Sequence, residues 1–324
     1  MDTVETLHAF EQLKILADAR RLEILRRLMT EPATLTELGQ MLKKSPAWTK
    51  HHLHILEAAG LVEMTEMPIT ARATRKYYKA RASALVLQEL ILPYSQKPAV
   101  IFSGSHDLAI EHIASQLSSQ VSLIVQPNGS LDGLVNLRLG LCHLAGTHLL
   151  DSNGEYNVPF VRRLFQDKVV SMVTLAHRTQ GLMVMPGNPK GLKSFSDLAR
   201  TEVTMINRNP GSGTRLWIDQ ELARLGLPAG SLRGYGNSAV THRAAALTIQ
   251  AGNADVAIGI QAAAFEMKLG FIPLFEERYD LVINSEQIQL VSPVLDYIQT
   301  SDFRTALNAL TGYNTAHSGE QIFL

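Results

Sequence analysis

The run Asn207-Arg208-Asn209-Pro210-Gly211-Ser212-Gly213-Thr214-Arg215 holds residue types well suited to bind an anion. An apolar stretch, Val203 to Ile206, leads into it, and the spacing predicts a helix from Leu216 to Leu225 directly behind it. Gly211 and Gly213 permit positive φ and let a ligand approach the backbone closely. Ser212 or Thr214 can cap the helix while presenting a hydroxyl. The first N–H groups of the helix point into the turn without intrahelical partners, and the helix dipole adds to them. Arg208 and Arg215 flank the turn and can give charge-assisted bonds to the same anion. The Gly-Lys-Ser/Thr ending of a Walker loop is missing. The plain alternative is an ordinary strand–turn–helix junction with a capped helix.

The elements that would position this loop need length, and 324 residues suffice for about two domains with a substantial core in each. A composition of 46% hydrophobic and 19% charged residues with zero net charge is that of a soluble globular protein. Met1 to Leu16 is broken by Glu5, His8, Glu11 and Lys14, unlike a signal peptide. No apolar run reaches the length of a membrane span. A cytoplasmic protein without a membrane partner is expected. Cys142 is the only cysteine, which excludes an internal disulfide framework and a multi-cysteine metal site. Charge is distributed unevenly: Met41 to Arg81 holds 8 Lys/Arg against 3 Asp/Glu. A local positive excess of this kind is what phosphate contacts require.

The first ninety residues predict helices over Leu7 to Leu28, the second running from Ala19 to Met29, and another over Leu35 to Leu42 capped by Thr34. Ser45-Pro46 then starts a further helix that Gly60 closes. Leu53, Leu56 and Ala59 form its inner stripe, leaving Ala47, Trp48, Lys50, His51 and His54 for the outer faces. Leu61 to Glu66 and Arg75 to Lys79 read as two strands, and Ala82 to Leu92 as a dimerisation helix. Helix, helix, turn, helix and a basic hairpin is the order of a winged helix-turn-helix.

The segments LKILADARRLEILRRL (13–28), TLTELGQML (34–42) and SPAWTKHHLHILEAAGLVE (45–63), with the Arg75-Lys76-Tyr77-Tyr78 strand, resemble ArsR-type winged-helix repressors over residues 5–92. The resemblance implies a homodimer on double-stranded operator DNA. It implicates Ser45, Trp48, Thr49, Lys50, His51 and His54 in the recognition helix, and Arg72, Arg75 and Lys76 in the wing. The Cys-x-Cys metal sensor of many such proteins has no counterpart in ELGQMLKKS (37–45), and no metal is expected at His51 and His54.

From Ala99 short apolar runs alternate with helices. Ala99 to Phe102 leads into Ser103-Gly104-Ser105-His106-Asp107, and Val121 to Val125 into Pro127-Asn128-Gly129-Ser130. The loop at 207–215 repeats the unit of strand, small polar turn and helix, which argues for a parallel α/β architecture with ligands at the strand ends. SGSHD (103–107), NGSLDGLVNLRLGLCHLAGTHLLD (128–151), GEYNVPFVRRLF (154–165), HRTQGLMVMPGNPKG (177–191), NRNPGSGTR (207–215), THRAAALTIQAGNADVAIGI (241–260) and EERYDLVI (276–283) together resemble the periplasmic-binding-protein-like domain. That domain occurs in cytoplasmic regulators and in molybdopterin-biosynthesis fusions, and is similar to molybdate-binding proteins of importers. The resemblance implies a two-lobed type II α/β fold closing over a small ligand, with crossings near Ala176 to Gly181 and Ile260 to Phe275. It points to Ser103, Ser105, His106, Ser130, Thr147, His148, Asn157, Arg178, Ser212, Gly213, Thr214 and Arg215 as cleft residues, with Thr241 and His242 as weaker candidates. The implied effector is molybdate, tungstate or a related anion, with a molybdopterin-type ligand as the larger option. No prosthetic group is implied.

The expectation is an α/β protein of two domains: residues 1–92 for DNA binding and dimerisation, 95–324 for ligand sensing. Ser-Gly-Ser-His lacks the nucleophile elbow of a hydrolase, so no enzyme is expected. The alternative is a cytoplasmic oxyanion carrier or cofactor-insertion protein that uses its helix-turn-helix only to dimerise.

Overall fold

The computed structural model describes the chain except residues 1–3, 8–9, 71–72, 88–89 and 93–95. It divides into two compact units, Met1–Ile91 and Leu92–Leu324. In the first, β1 (Val4–Leu7) and α1 (Phe10–Leu16) precede α2 (Ala19–Thr30), α3 (Leu35–Leu42) and α4 (Pro46–Ala58). The hairpin β2 (Val62–Thr70) and β3 (Ala73–Ala80) follows, then β4 (Ala84–Leu87). Ile24, Leu25, Leu28, Leu38, Leu53 and Leu56 are the buried centre where α2, α3 and α4 meet. Thr34 and Glu37 close a reciprocal capping box at the start of α3. The helix expected over residues 82–92 is replaced at Ala84–Leu87 by a strand that pairs in parallel with β1. The run is short and apolar, and periodicity does not separate helix from strand at that length; the partner supplied by Val4–Leu7 decides it.

The second unit comprises β5 (Ala99–Gly104), α5 (Leu108–Gln116), β6 (Ser122–Pro127), α6 (Ser130–Arg138), β7 (Leu144–Thr147), α7 (Val158–Leu164) and β8 (Val170–Val184). Then come β9 (Asn207–Arg208), α8 (Gly213–Arg224), β10 (Ser238–Ala239), α9 (His242–Gln250), β11 (Val256–Ile260), α10 (Gln261–Glu266) and β12 (Gly270–Asn284). The chain closes with α11 (Ile288–Ile298), α12 (Ser301–Asn308), β13 (Tyr313–Asn314) and β14 (Gln321–Phe323).

The main sheet runs β11-β8-β12-β7-β5-β6 and is mixed rather than purely parallel. β5 pairs in parallel with β6 and β7, while β8 and β12 pair antiparallel along almost their whole length. These two strands join two lobes. At one end β12 pairs with β7 through residues 280–283; at the other β8 pairs with β11 through residues 180–184. The second crossing therefore lies in the middle of β12, where residues 275–279 face 176–180, and not over 260–275. That earlier stretch holds α10, whose Ala262, Ala263 and Ala264 join the core cluster of Val100, Phe102 and Leu108, and the start of β12, which pairs with residues 180–184 of β8.

Candidate functional site

In the first unit, α4 begins with Ser45, whose hydroxyl accepts from the Trp48 N–H, and with Pro46 in the first turn. Lys50, His51 and His54 are exposed on its outer face. Thr49 is turned inward: fully buried, it donates its hydroxyl to the Ser45 carbonyl at 3.1 Å, so it presents nothing to a groove. Trp48 is half-buried, packs edge-on against His52 at 4.4 Å and carries Lys44 over its ring. In the hairpin, Arg75 and Lys76 are exposed, and Lys76 lies 3.9 Å from Glu66. Arg72 falls outside the described residues. Among the described residues no group of three or more His, Cys, Asp or Glu is placed to hold a metal ion.

In the second unit, the N-termini of α5, α6, α8 and α9 lie at the ends of short strands around one interior. Asp107 caps α5, Ser212 caps α8 and Thr241 caps α9, whereas α6 starts behind Gly129, which has φ 106°. The lips of the two lobes touch. Leu131 N–H donates to the Gly211 carbonyl at 3.1 Å, the Asn209 amide to the Asn128 carbonyl at 3.2 Å, and the Gln220 amide to the Leu150 carbonyl at 2.9 Å. Glycine is required here by contact: a Cβ on Gly213 would sit 2.5 Å from His148, and one on Gly129 would sit 3.1 Å from Gly211.

The interior is a charge cluster built on the two crossing strands. Arg178 of β8 is fully buried and pairs with Asp107 and with Glu277 of β12. Burial alone would lower its pKa, but the two carboxylates more than offset that and raise it. Burial alone would likewise raise Glu277; Arg178 and His148 instead hold it at about 2. Tyr313 donates to Asp107 at 2.6 Å, and Gln180 to Glu277 at 2.8 Å and to Thr214 at 3.2 Å. His148 Nδ1 lies 2.7 Å from Glu277, and its Nε2 lies 2.9 Å from the Ser105 hydroxyl. Burial lowers the His148 pKa despite Glu277. The ring is thus neutral, its proton on Nδ1 because the carboxylate only accepts, and Ser105 donates to Nε2. Tyr279 stacks on His148, lies under Arg178 at 4.3 Å and donates to the Ser105 carbonyl.

Arg208 differs from Arg178. It is fully buried, and its guanidinium donates to the Ala239 carbonyl at 3.2 Å and the Val240 carbonyl at 2.8 Å. Nη1 has no partner, and no carboxylate is paired with it among the described residues. Burial, then repulsion from Arg178, lowers its pKa to about 10. His242, the first residue of α9, is also fully buried, and neither ring nitrogen has a partner. Buried polar atoms without partners cost about 1–3 kcal/mol each, so a cluster of them around one interior marks a place for a ligand.

The residues expected from sequence divide by what their polar atoms already do. Ser130 accepts from the His148 N–H at 3.2 Å and keeps a hydroxyl proton to give; Thr214, which accepts from Gln180, does the same. The Gly213 and Thr214 amides head α8. His106 contacts Glu111 at 2.6 Å through Nε2 and leaves a buried Nδ1 without a partner. Ser103, Ser105, Thr147, His148, Asn157, Arg178 and Ser212 are committed to holding the frame. Ser103 accepts from Asn136 at 2.9 Å, Thr147 donates to Asn157 at 3.2 Å, and Asn157 donates to Asp280 at 2.8 Å. Ser212 donates to the Asn209 carbonyl at 2.9 Å. Arg215 leaves the cluster altogether: its guanidinium binds Asp219 at 3.2 Å and stacks on Tyr235 at 3.9 Å. The sequence does not single out Asp107, Gln180 or Glu277: they lie inside the runs 103–107, 177–191 and 276–283 but carry no spacing signal of their own.

A closed, two-lobed α/β cleft lined by helix N-termini, on a chain that also carries a winged helix, defines a ligand-binding regulator. The chain belongs to the PBP superfamily, whose domain matches residues 111–299, and residues 18–64 match the bacterial regulatory proteins of the arsR family. It is 34% identical over 230 residues to the uncharacterized protein YvgK of Bacillus subtilis (strain 168), covering 70% of this chain and 74% of that protein. An uncharacterized protein in the ferredoxin 2Fe-2S gene 5' region of Clostridium pasteurianum is 34% identical over 106 residues, 32% of this chain and 94% of the relative. The sulfate-binding protein SubI from Mycobacterium tuberculosis H37Rv shares the fold, with a TM-score of 0.50 and 13% identity, over 68% of this chain and 86% of that one. No helix among the described residues is long and apolar enough to cross a membrane.

Proposed function

We propose that the protein is a transcription regulator that binds operator DNA as a homodimer and senses a small oxyanion of the molybdate or tungstate type. On this reading residues 1–92 bind DNA and dimerise, through Lys50, His51 and His54 of α4 and Arg75 and Lys76 of the hairpin, and residues 95–324 hold the effector. The carrying observation is Arg208, a buried guanidinium with an unpartnered Nη1 in a closed cleft. An anion there would receive Arg208, the Ser130 and Thr214 hydroxyls and the first amides of α8, the preorganised donor set that favours charge in a dry site. The lips already touch, which favours a compact tetrahedral anion over a pterin. Ser105, His148 and Glu277 are linked in the order of a nucleophile, base and carboxylate, but all three are buried beneath the touching lips, which supports a framework role and binding rather than catalysis. The effector would act by favouring the closed cleft and so biasing the affinity for DNA, a coupling on the order of 1–3 kcal/mol.

Calorimetric titration of the purified protein with molybdate, tungstate, sulfate and phosphate tests the site. Tight binding of molybdate or tungstate, abolished by Thr214→Ala, is the expected result. Binding of none of the four would contradict the oxyanion reading.

A further inference from the structure

The fully buried charges of the cluster already balance. Arg178 and Arg208 carry two positive charges, Asp107 and Glu277 two negative ones, and the buried Asp280 has its own partner in Arg278 at 2.8 Å. A dianionic oxyanion entering this dry interior would leave it two charges negative, which buried sites do not tolerate without compensation. The helix N-termini contribute only partial charges. A proton is the missing component, and three histidines stand near enough to take it. His148 is locked: one nitrogen faces Glu277 and the other accepts from Ser105, so protonation would destroy an existing bond. His106 is buried as well, but its Nε2 already serves a carboxylate, Glu111, which Arg243 also holds. His242 is different. Both of its nitrogens are buried and unpartnered, so a proton there breaks nothing and creates a second donor.

Building on the anion site described above, we propose that the cleft takes up its oxyanion together with one proton, carried by His242. The charged and titratable groups whose fields reach His242 are Arg208 from β9, Arg178 from β8, His148 from the end of β7 and His106 from the turn before α5. Its helical neighbour Arg243 is engaged elsewhere, with Glu111 and Glu266. In the empty cleft burial foremost, then Arg208 and Arg178, keeps the ring neutral. A bound dianion cancels the repulsion of both arginines and adds its own attraction, so the ring takes a proton as the anion enters. The sign follows: binding strengthens as pH falls, close to tenfold per pH unit between the free and bound pKa values. Above that window the affinity levels off at its weakest.

The test is calorimetry of the full chain with molybdate and with sulfate, both fully ionised at neutral pH, in buffers of different ionisation enthalpy. Uptake of about one proton per anion is expected. In His242→Gln the anion should still bind, with uptake near zero and a flat pH profile, while His148→Gln should keep the uptake. NMR of the imidazole nitrogens gives a second readout: the His242 ring should pass from neutral to doubly protonated on saturation with molybdate. Anion binding without proton uptake, or with uptake unchanged in His242→Gln, overturns the proposal and leaves the anion site standing. Absence of binding by either anion removes both.

Discussion

Replacing Arg208 by methionine separates a ligand-binding cation from a structural one. In the ligand-free protein the depression of its pKa to about 10 means that the buried charge costs about 3 kcal/mol relative to water. Its two bonds to the Ala239 and Val240 carbonyls return about 1 kcal/mol each. The two contributions nearly cancel, so Arg208→Met should move the melting temperature of the empty protein by only a few degrees, at ~2–4 °C per kcal/mol for a domain of this size. Arg178→Met is the contrast: it strands Asp107 and Glu277 without their cation and should cost ~3–5 kcal/mol, or roughly 6–20 °C. With molybdate the order reverses in importance. Loss of the Arg208 contact should remove ~2–5 kcal/mol of binding, a roughly 30-fold to several-thousand-fold weaker affinity. Thermal unfolding with and without saturating molybdate, paired with calorimetry, reads both effects. An Arg208→Met protein that melts like Arg178→Met, or that binds molybdate as the parent does, would refute the assignment of Arg208 to the ligand.

Further outcomes follow from the same geometry. Gly213→Ala places a methyl group 2.5 Å from His148 across the cleft and should hold the lobes apart. Molybdate affinity should fall at least about tenfold, and small-angle scattering should show no compaction on adding the anion. In the DNA-binding unit, Arg75→Ala should weaken binding about equally across sequences and lower the salt slope by roughly one phosphate contact, whereas His54→Ala should relax base preference in a selection experiment. Burial depresses His242 and His148, so unfolding raises their proton affinity. The ligand-free protein should therefore be most stable above about pH 6.5 and lose stability as the pH falls below it. Saturating molybdate should flatten that loss in thermal melts. Glu277 works in the other range, its contribution holding until the pH drops below its ordinary value of 4.5 and vanishing toward about 2.

Helix α4 was legible because its signals are local. Ser45, Pro46 and Gly60 mark its ends in sequence, and Gly60 takes φ 71° as a residue closing a helix does. The strand–turn–helix loops were legible for the same reason, down to the Ser212 cap. What failed was set by distant partners. Arg178 reads in sequence as a free anion donor, but Asp107, 71 positions away, and Glu277, 99 positions away, neutralise it. Arg215 lies beside the right loop, yet α8 turns it toward Asp219 and Tyr235. Arg208 is two residues from the same turn and points inward only because β9 pairs with β10. Ala84–Leu87 became a strand because Val4–Leu7 pairs with it, a contact between the two ends of the unit that no local pattern announces.

The central claim is that one chain couples an anion to DNA. It is tested most directly by fluorescence anisotropy of the full-length protein on an operator fragment recovered by selection, with and without saturating molybdate. The account predicts two binding curves displaced by roughly 5- to 150-fold, and a displacement that disappears in Arg208→Met. Superimposable curves, with molybdate shown by calorimetry to be bound, would contradict it.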